Sequence, residues 1–472
     1  MKIILAGYNV DTEVLEDLKK TSRPRQDVTP ETLSAAYARI SRDPRPIDEL
    51  RKDAREEVAK ARKSNSAIIF KMGHHSIAEH AVFNFDIIGV SRLAFEEIEK
   101  FRLCAYTEKS QRYQKLEDDF IIPEEIKGSK VEALFIETIK AQNQYYHQLV
   151  EQGIEPEDAR YATSLATQGQ VGLTINARNL EFMFRRFASH PLAEIQQIGK
   201  AMYNLVKDIA PSIILFAEAN DYDKKTYQEL LRVGDPLRVA SCRQEAEPKR
   251  LCCAGVELVD FTPEADDKLI AAFLHTSTSL SYIECLDQAK KMEEGEKKDL
   301  VKTCFKSAEF YDRPLREFEY VDLTYDLIVS AACFGQLKRH RMTTQTVQAY
   351  DPSLGVTIPK AIGQSTFNKI VELTNQAYDQ LVNHHPIAAQ YVLTNAHRRR
   401  VLLKTNAREL YHISRLREDK HAQWDIQNLS RGMTKLAKEV MPLTTMFVGS
   451  KEGYIELYES QFGKKPKILP QF

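Results

Sequence analysis

LIVSAACFGQLKRHR, residues 327–341, begins as a mostly apolar run and ends in three cations around an imidazole. The run Leu327 to Leu337 reads as buried structure, so Lys338-Arg339-His340-Arg341 sits where a chain leaves its core. Arginine presents a fixed fork of donors, which suits phosphate or a diphosphate. A lone basic triplet is ordinarily a solvated turn. This one recurs.

Lys100-Phe101-Arg102 stands 239 residues before Arg339-His340-Arg341. Four further pairs keep nearly the same offset and the same order: Ala35-Ala36-Tyr37 with Ala271-Ala272-Phe273, Glu79-His80 with Glu319-Tyr320, Ile122-Pro123 with Ile358-Pro359, and Asn176-Ala177-Arg178 with Asn406-Ala407-Arg408. Ordered matches at a nearly constant spacing mark a tandem duplication of one domain of about 230 residues. The expected domains are 1–235 and 236–472.

In the first copy, residues 1–20 read as strand then helix, and Thr29 to about Lys63 has helical periodicity. AVFNFDIIGV alternates like a strand, and SRLAFEEIEKFR follows with helical spacing and Ser91 as N-cap. Long helices are expected over 129–152, 156–165 and 176–210, the last two separated by the Gly and Thr residues of 167–174. Residues 219–256, with Gly234, Pro236 and Pro248, fit a domain connection.

Composition sets the class. At 472 residues, 43% hydrophobic and 28% charged, the chain is a globular protein of more than one domain. A net charge of −1 gives no global attraction to nucleic acid or an acidic membrane. The basic run His397-Arg398-Arg399-Arg400 reads as a solvated face. The N-terminal apolar run is too short for a secretory signal and no stretch is long enough to span a bilayer, so a cytoplasmic location is expected. Seven cysteines (104, 242, 252, 253, 285, 304 and 333) without CxxC pairs suggest reduced thiols. His74, His75, Glu79 and His80 could offer metal ligands, but their spacing is not HExxH, and no metal is expected.

The ordered blocks resemble the flavin-dependent thymidylate synthase family, over most of both halves. That family's signature is RHR, seven residues, then Ser-x-Arg-Tyr, with a later Asn-Ala-Arg helix carrying an Arg eleven residues on. The second half keeps Gln336, Arg339-His340-Arg341 and NARELYHISRLR with Arg417, but has Val347, Ala349 and Asp351 where Glu, Ser and Arg belong. The first half keeps Glu108, Ser110, Arg112 and Tyr113 in EKSQRY, and Ala159-Arg160, but has Lys100-Phe101 for Arg-His and Phe187 for the activating Arg. The losses are complementary.

The resemblance implies an α+β fold of two tandem thymidylate synthase-like domains, each a mostly antiparallel sheet with long helices. It implies reductive methylation of dUMP to dTMP with methylenetetrahydrofolate as one-carbon donor, FAD as cofactor and NADPH as reductant. Arg417 would activate the pyrimidine. Gln336, Arg339, Glu108, Ser110, Arg112 and Arg160 would bind the nucleotide. Ser76, Glu108, Arg339, His340, Arg341, Asn406, Arg408 and His412 would hold the flavin, as would Asn176 and Arg178 by their equivalent placement. In the family each site is shared between subunits, so the expected assembly is a homodimer acting as a pseudo-tetramer. The alternatives are a related flavoenzyme modifying another pyrimidine nucleotide, or a non-catalytic flavin- or nucleotide-binding relative.

Overall fold

The computed structural model describes residues 1–20, 26–112, 116, 118–241, 252–253 and 255–467, with backbone alone for 235–241 and 252–253. Tyr113 and Cys242 lie outside the described residues, as do the side chains of Cys252 and Cys253. The chain divides into two compact units, Met1–Glu245 with Ala361–Thr394, and Ala246–Lys360 with Asn395–Phe472.

The first unit holds a four-stranded antiparallel sheet of β1 (Lys2–Tyr8), β2 (Val82–Ser91), β3 (Cys104–Glu108) and β4 (Gln168–Asn176), in the order β1-β2-β4-β3. Phe83, Phe85 and Ile87 of β2 point into the core, as do Val171, Leu173 and Ile175 of β4, while Asn84 and Asp86 face outward. That alternation is what a half-buried pleat requires.

Residues 167–174, expected as a break between helices, therefore form most of a central strand. Two glycines and a threonine hide its period of two. The expected helix 176–210 is two helices, Ala177–Ala188 and Ala193–Val206, and 156–165 shortens to single turns at Pro156–Ala159 and Arg160–Ala162. Much of the expected connection 219–256 is a 21-residue helix, Asp221–Ser241.

Segment 361–394 belongs to the first unit because its groups satisfy buried partners there. Gln142, fully buried on helix Glu132–Glu151, donates from Nε2 to Thr374 Oγ1 (2.8 Å) and to the Val392 carbonyl (2.9 Å). The Tyr391 hydroxyl donates to Glu194 at 2.6 Å, and the Leu165 amide donates to the Leu393 carbonyl at 2.8 Å. An unpaired buried amide or hydroxyl would cost about 1–3 kcal/mol.

The second unit repeats the sheet. β5 (Cys252–Cys253), β6 (Val256–Phe261), β7 (Asp322–Ser330), β8 (Thr344–Val347) and β9 (Arg398–Asn406) run antiparallel in the order β5-β6-β7-β9-β8. Without β5 this is the first unit's order. Leu323, Tyr325, Leu327 and Val329 face a core that includes Phe305, Phe318, Tyr411 and Phe447. Each such side chain contributes roughly 1.5–3 kcal/mol through burial. Small details are duplicated too. Ser91 and Ser330 each cap the helix that follows, accepting from the amide three residues on at 3.0 Å, and each donates to a carboxylate, Glu194 (2.7 Å) or Asp425 (2.5 Å). Among the described residues no helix is long and apolar enough to cross a membrane.

Candidate functional site

In the second unit the short helix Ala331–Leu337 delivers Gln336 and then His340 against helix Ala407–Arg417. Asn406 caps that helix, its side chain accepting from the Glu409 amide at 2.8 Å. Glu409 and His412, three apart, share one face.

His340 is 3% exposed and bonded on both sides. Its Nδ1 lies 3.2 Å from Glu409 Oε1, and its Nε2 lies 2.8 Å from Arg417 Nε. Arg417 also donates from Nη2 to the Gln336 carbonyl at 3.1 Å, and the His412 ring lies 5.7 Å from that of His340. The side-chain Nε2 of Gln336 is buried without a partner among the described residues. Burial, reinforced by the Arg417 charge, pulls the His340 pKa down to about 3, so the ring is neutral. Burial raises the Glu409 carboxyl; it lowers His412 even though the Glu409 charge acts the other way.

Ligand atoms of His340, Glu409 and His412 come within 4.8 Å of one another. Both nitrogens of His340 are nevertheless engaged by Glu409 and Arg417, so a cation could bind the ring only by displacing one of them. The arrangement is a hydrogen-bonded relay.

Arg339 and Arg341 are exposed. Arg408 pairs with Glu319 (2.8 Å) and donates to the Pro314 carbonyl.

In the first unit a cleft of about 170 Å³ opens beside β3 and β4. Glu108, Ser110 and Arg160 line it together with Phe95, Tyr146 and Gly169. Glu108 is ion-paired with the buried Arg92. Ser110 Oγ accepts from the Arg112 amide at 3.1 Å; Arg112 Nε meets Glu157 Oε2 at 2.8 Å, and Arg160 Nε donates to the Glu157 carbonyl at 3.2 Å. Arg112 and Arg160 thus both engage Glu157, and Ser110 and Arg160 line the cleft, offering a hydroxyl and a guanidinium of the kind that suits an oxyanion.

Ser76, Asn176 and Arg178 are not part of this cleft's lining. Ser76 is exposed on the turn His75–His80, Asn176 caps its helix, and Arg178 pairs with Glu79 at 2.5 Å. The His80 ring packs edge-on against Tyr37, and among the described residues His74, His75, Glu79 and His80 do not gather as a ligand set.

Equivalent positions of the two units explain what each has lost. Where the second has His340, His412 and Arg417, the first has Phe101, Phe182 and Phe187, with Phe101 5.6 Å from Phe182 and 5.9 Å from Phe187. Gln336 is matched by Glu97, ion-paired to Lys100 at 2.5 Å. Burial opposes ionisation of Glu97, yet Lys100 and His190 hold its carboxyl well below the usual range. Arg186, one position before Phe187, does not stand in for Arg417. It stacks over Phe182, Tyr222 and Tyr227 and lies 3.5 Å from Asp223.

The converse holds at the cleft. Gly169 leaves Phe95 room, since a Cβ there would fall 2.7 Å from its ring. The second unit has Arg399 at this position, 6% exposed, stacked 4.2 Å from Tyr350 and 5.0 Å from Phe334, with Nε on the Gln348 carbonyl at 2.7 Å. A guanidinium fills the space. Gly169, Glu409 and Phe182 were not singled out from sequence, and Arg399, expected on a solvated face, is buried instead; aligning the copies position by position exposes all four.

A family model described as thymidylate synthase complementing protein matches residues 26–212 and, a second time, residues 257–443. The chain belongs to this family. It carries two tandem copies of the family's domain. A flavin-dependent thymidylate synthase of Geobacter sulfurreducens is 32% identical over 189 residues, 39% of this chain and 80% of the relative. A UPF0159 protein of Chlamydia pneumoniae is 22% identical over 433 residues, covering 84% of this chain and 82% of its own length. The solved flavin-dependent thymidylate synthase of Helicobacter pylori, complexed with FAD and dUMP, is 18% identical, with a TM-score of 0.34 over 46% of this chain and all of that one.

Proposed function

We propose that this chain is a flavin-dependent thymidylate synthase that converts dUMP to dTMP, with its machinery divided between the two copies. The observation that carries the reading is complementary replacement: the first unit keeps an open cleft lined by Glu108, Ser110 and Arg160 and fills the other locus with phenylalanine, and the second fills the cleft position with Arg399 and keeps the polar set.

In the first unit Ser110, Arg112 and Arg160 bind the nucleotide phosphate, with Glu108 held in place by Arg92. In the second unit Arg417 faces the pyrimidine and stabilises negative charge as C5 becomes nucleophilic. The unpartnered Nε2 of Gln336 is a donor suited to a carbonyl of the base or of the flavin ring. Arg339 and Arg341 hold the flavin edge, and Asn406, Arg408 and His412 its far end; the same role falls to Ser76, Asn176 and Arg178 in the first copy, whereas His340, buried with both ring nitrogens engaged, serves the site through Arg417 and not as the direct flavin contact expected from sequence. For Arg408 and Arg178 this requires a shared or exchanged partner, since each is ion-paired to a glutamate.

Reduced FAD, regenerated by NADPH, supplies the hydride and methylenetetrahydrofolate the one-carbon unit. No protein nucleophile is required. Cys104, Cys285 and Cys333 are buried, and burial pushes the Cys304 thiol up to about 11, so Cys304 is not a ready thiolate. Two chains forming a homodimer would present four copies.

Purified protein should be yellow with an FAD absorption spectrum and should release tritium from [5-³H]dUMP when given methylenetetrahydrofolate and NADPH. A colourless protein that takes up no added FAD would refute the assignment.

A further inference from the structure

Glu409 has no role in the scheme above, yet its Oε1 lies 3.2 Å from one nitrogen of His340 while Arg417 Nε lies 2.8 Å from the other. The chemistry of the three groups allows one arrangement. A guanidinium Nε carries a hydrogen and no lone pair, so His340 Nε2 must accept. A neutral imidazole that accepts at Nε2 carries its proton on Nδ1, and that proton faces Glu409. The other tautomer would set two N–H groups against each other, and an imidazolium would set a cation against a cation. Neither is tolerable at a ring this deeply buried.

We propose that Glu409 is a positioning residue: it fixes the Nδ1–H tautomer of His340, whose Nε2 then holds the Arg417 guanidinium in its working orientation. This rests on the role given to Arg417. A carboxylate that selects an imidazole tautomer so that the far nitrogen can act is a recurrent device in enzymes and metal sites. Here the far nitrogen steers a cation.

Two features of the chain fit this role. The Asn406 cap accepts from the Glu409 amide itself, so the first turn carrying the carboxylate is pinned. The first copy, with Phe101 and Phe187 in place of the imidazole and guanidinium, has Asn179 at the Glu409 position, where its side chain bonds, among the described residues, its own cap residue, Asn176, at 2.9 Å. The carboxylate is present in the copy that has a tautomer to set. His412, on the same helix face, is the other titratable ring beside Glu409, and it is exposed.

The test is nitrogen-15 NMR of the full chain labelled in histidine, with His340→Gln to assign the signal, beside tritium release from [5-³H]dUMP. At neutral pH His340 should show a protonated Nδ1 and an unprotonated Nε2. Glu409→Leu should lose that single tautomer and lower kcat at least about tenfold with KM for dUMP little changed, whereas Glu409→Gln, whose amide oxygen can still accept, should retain most of both. A wild-type ring protonated on Nε2 or on both nitrogens would overturn the proposal, as would Glu409→Leu keeping the tautomer and kcat. The stated tautomer in a protein that releases no tritium would instead refute the reaction and the catalytic role of the relay, leaving only its hydrogen-bond order.

Discussion

Phe101 packs edge-on against Phe187, centroids 5.9 Å apart, at the two positions where the other copy of the domain sets His340 against Arg417. With Phe182 at the His412 position, three polar groups have been exchanged together for three rings. Losing one member at a time would have left the buried His340 ring or the half-buried Arg417 fork short of a hydrogen-bond partner, at about 1–3 kcal/mol. The replacement is internally consistent, as specialisation of two copies requires.

Transplanting the aromatic set should separate stability from activity. His340→Phe, His412→Phe and Arg417→Phe combined with Glu409→Asn, the first copy's residue, should leave the second unit about as stable as wild type, because the apolar cluster replaces the hydrogen-bonded one without stranding a buried polar group. Tritium release should vanish. Denaturant unfolding alongside the activity assay checks both.

His340 should make the second unit acid-sensitive. Its folded pKa of about 3 lies below the unfolded value of roughly 6.5, so on acidification the unfolded state takes up a proton that the folded state refuses. Stability is unaffected above the unfolded value and falls as pH drops from there toward about 3, by on the order of 3 kcal/mol at pH 4. His340→Leu, whatever offset it suffers from leaving Arg417 without its acceptor, should show a flatter slope in this window. Denaturation midpoints measured from pH 7 to 4 decide it.

Much of this fold could be read from the chain. The paired blocks located the two matching copies, Ser91 marked a helix start, and EKSQRY and the Asn-Ala-Arg helix carry residues that the fold places at the cleft and at the buried hydrogen-bonded cluster. β4 was not legible, because Gly169, Gly172 and Thr174 interrupt an alternation that only Val171, Leu173 and Ile175 sustain. Nor was the glutamate–imidazole–guanidinium relay, since His340 and Glu409 are 69 residues apart and meet only through packing. The segment 361–394 shows the same limit: nothing local to it foretells that Thr374 will meet Gln142.

Gly169 should be a gate for nucleotide binding. Gly169→Arg, the residue the other copy carries, should fill the cleft and weaken dUMP binding at least about tenfold, roughly 1.4 kcal/mol. Gly169→Ala should weaken it less, since Phe95 must move to admit a Cβ only 2.7 Å away. Equilibrium binding of dUMP to each variant measures this, and wild-type affinity in Gly169→Arg would place the nucleotide elsewhere.

Arg417→Lys should fail almost as badly as Arg417→Ala. A lysine keeps the charge but has no Nε–H to give His340 while also reaching the Gln336 carbonyl, two bonds that the planar fork makes at once. Tritium release should fall by about 100-fold or more in both, while the fold persists with a loss of about 1–3 kcal/mol from leaving His340 Nε2 without its donor.

The division of labour is tested most directly by tritium release from [5-³H]dUMP at low substrate, comparing Arg112→Ala and Arg417→Ala chains, alone and mixed. Each variant alone should lose most of kcat/KM, one in each copy, and recovery on mixing would show that a site draws its parts from two chains. Wild-type kcat/KM in either variant alone would contradict the account.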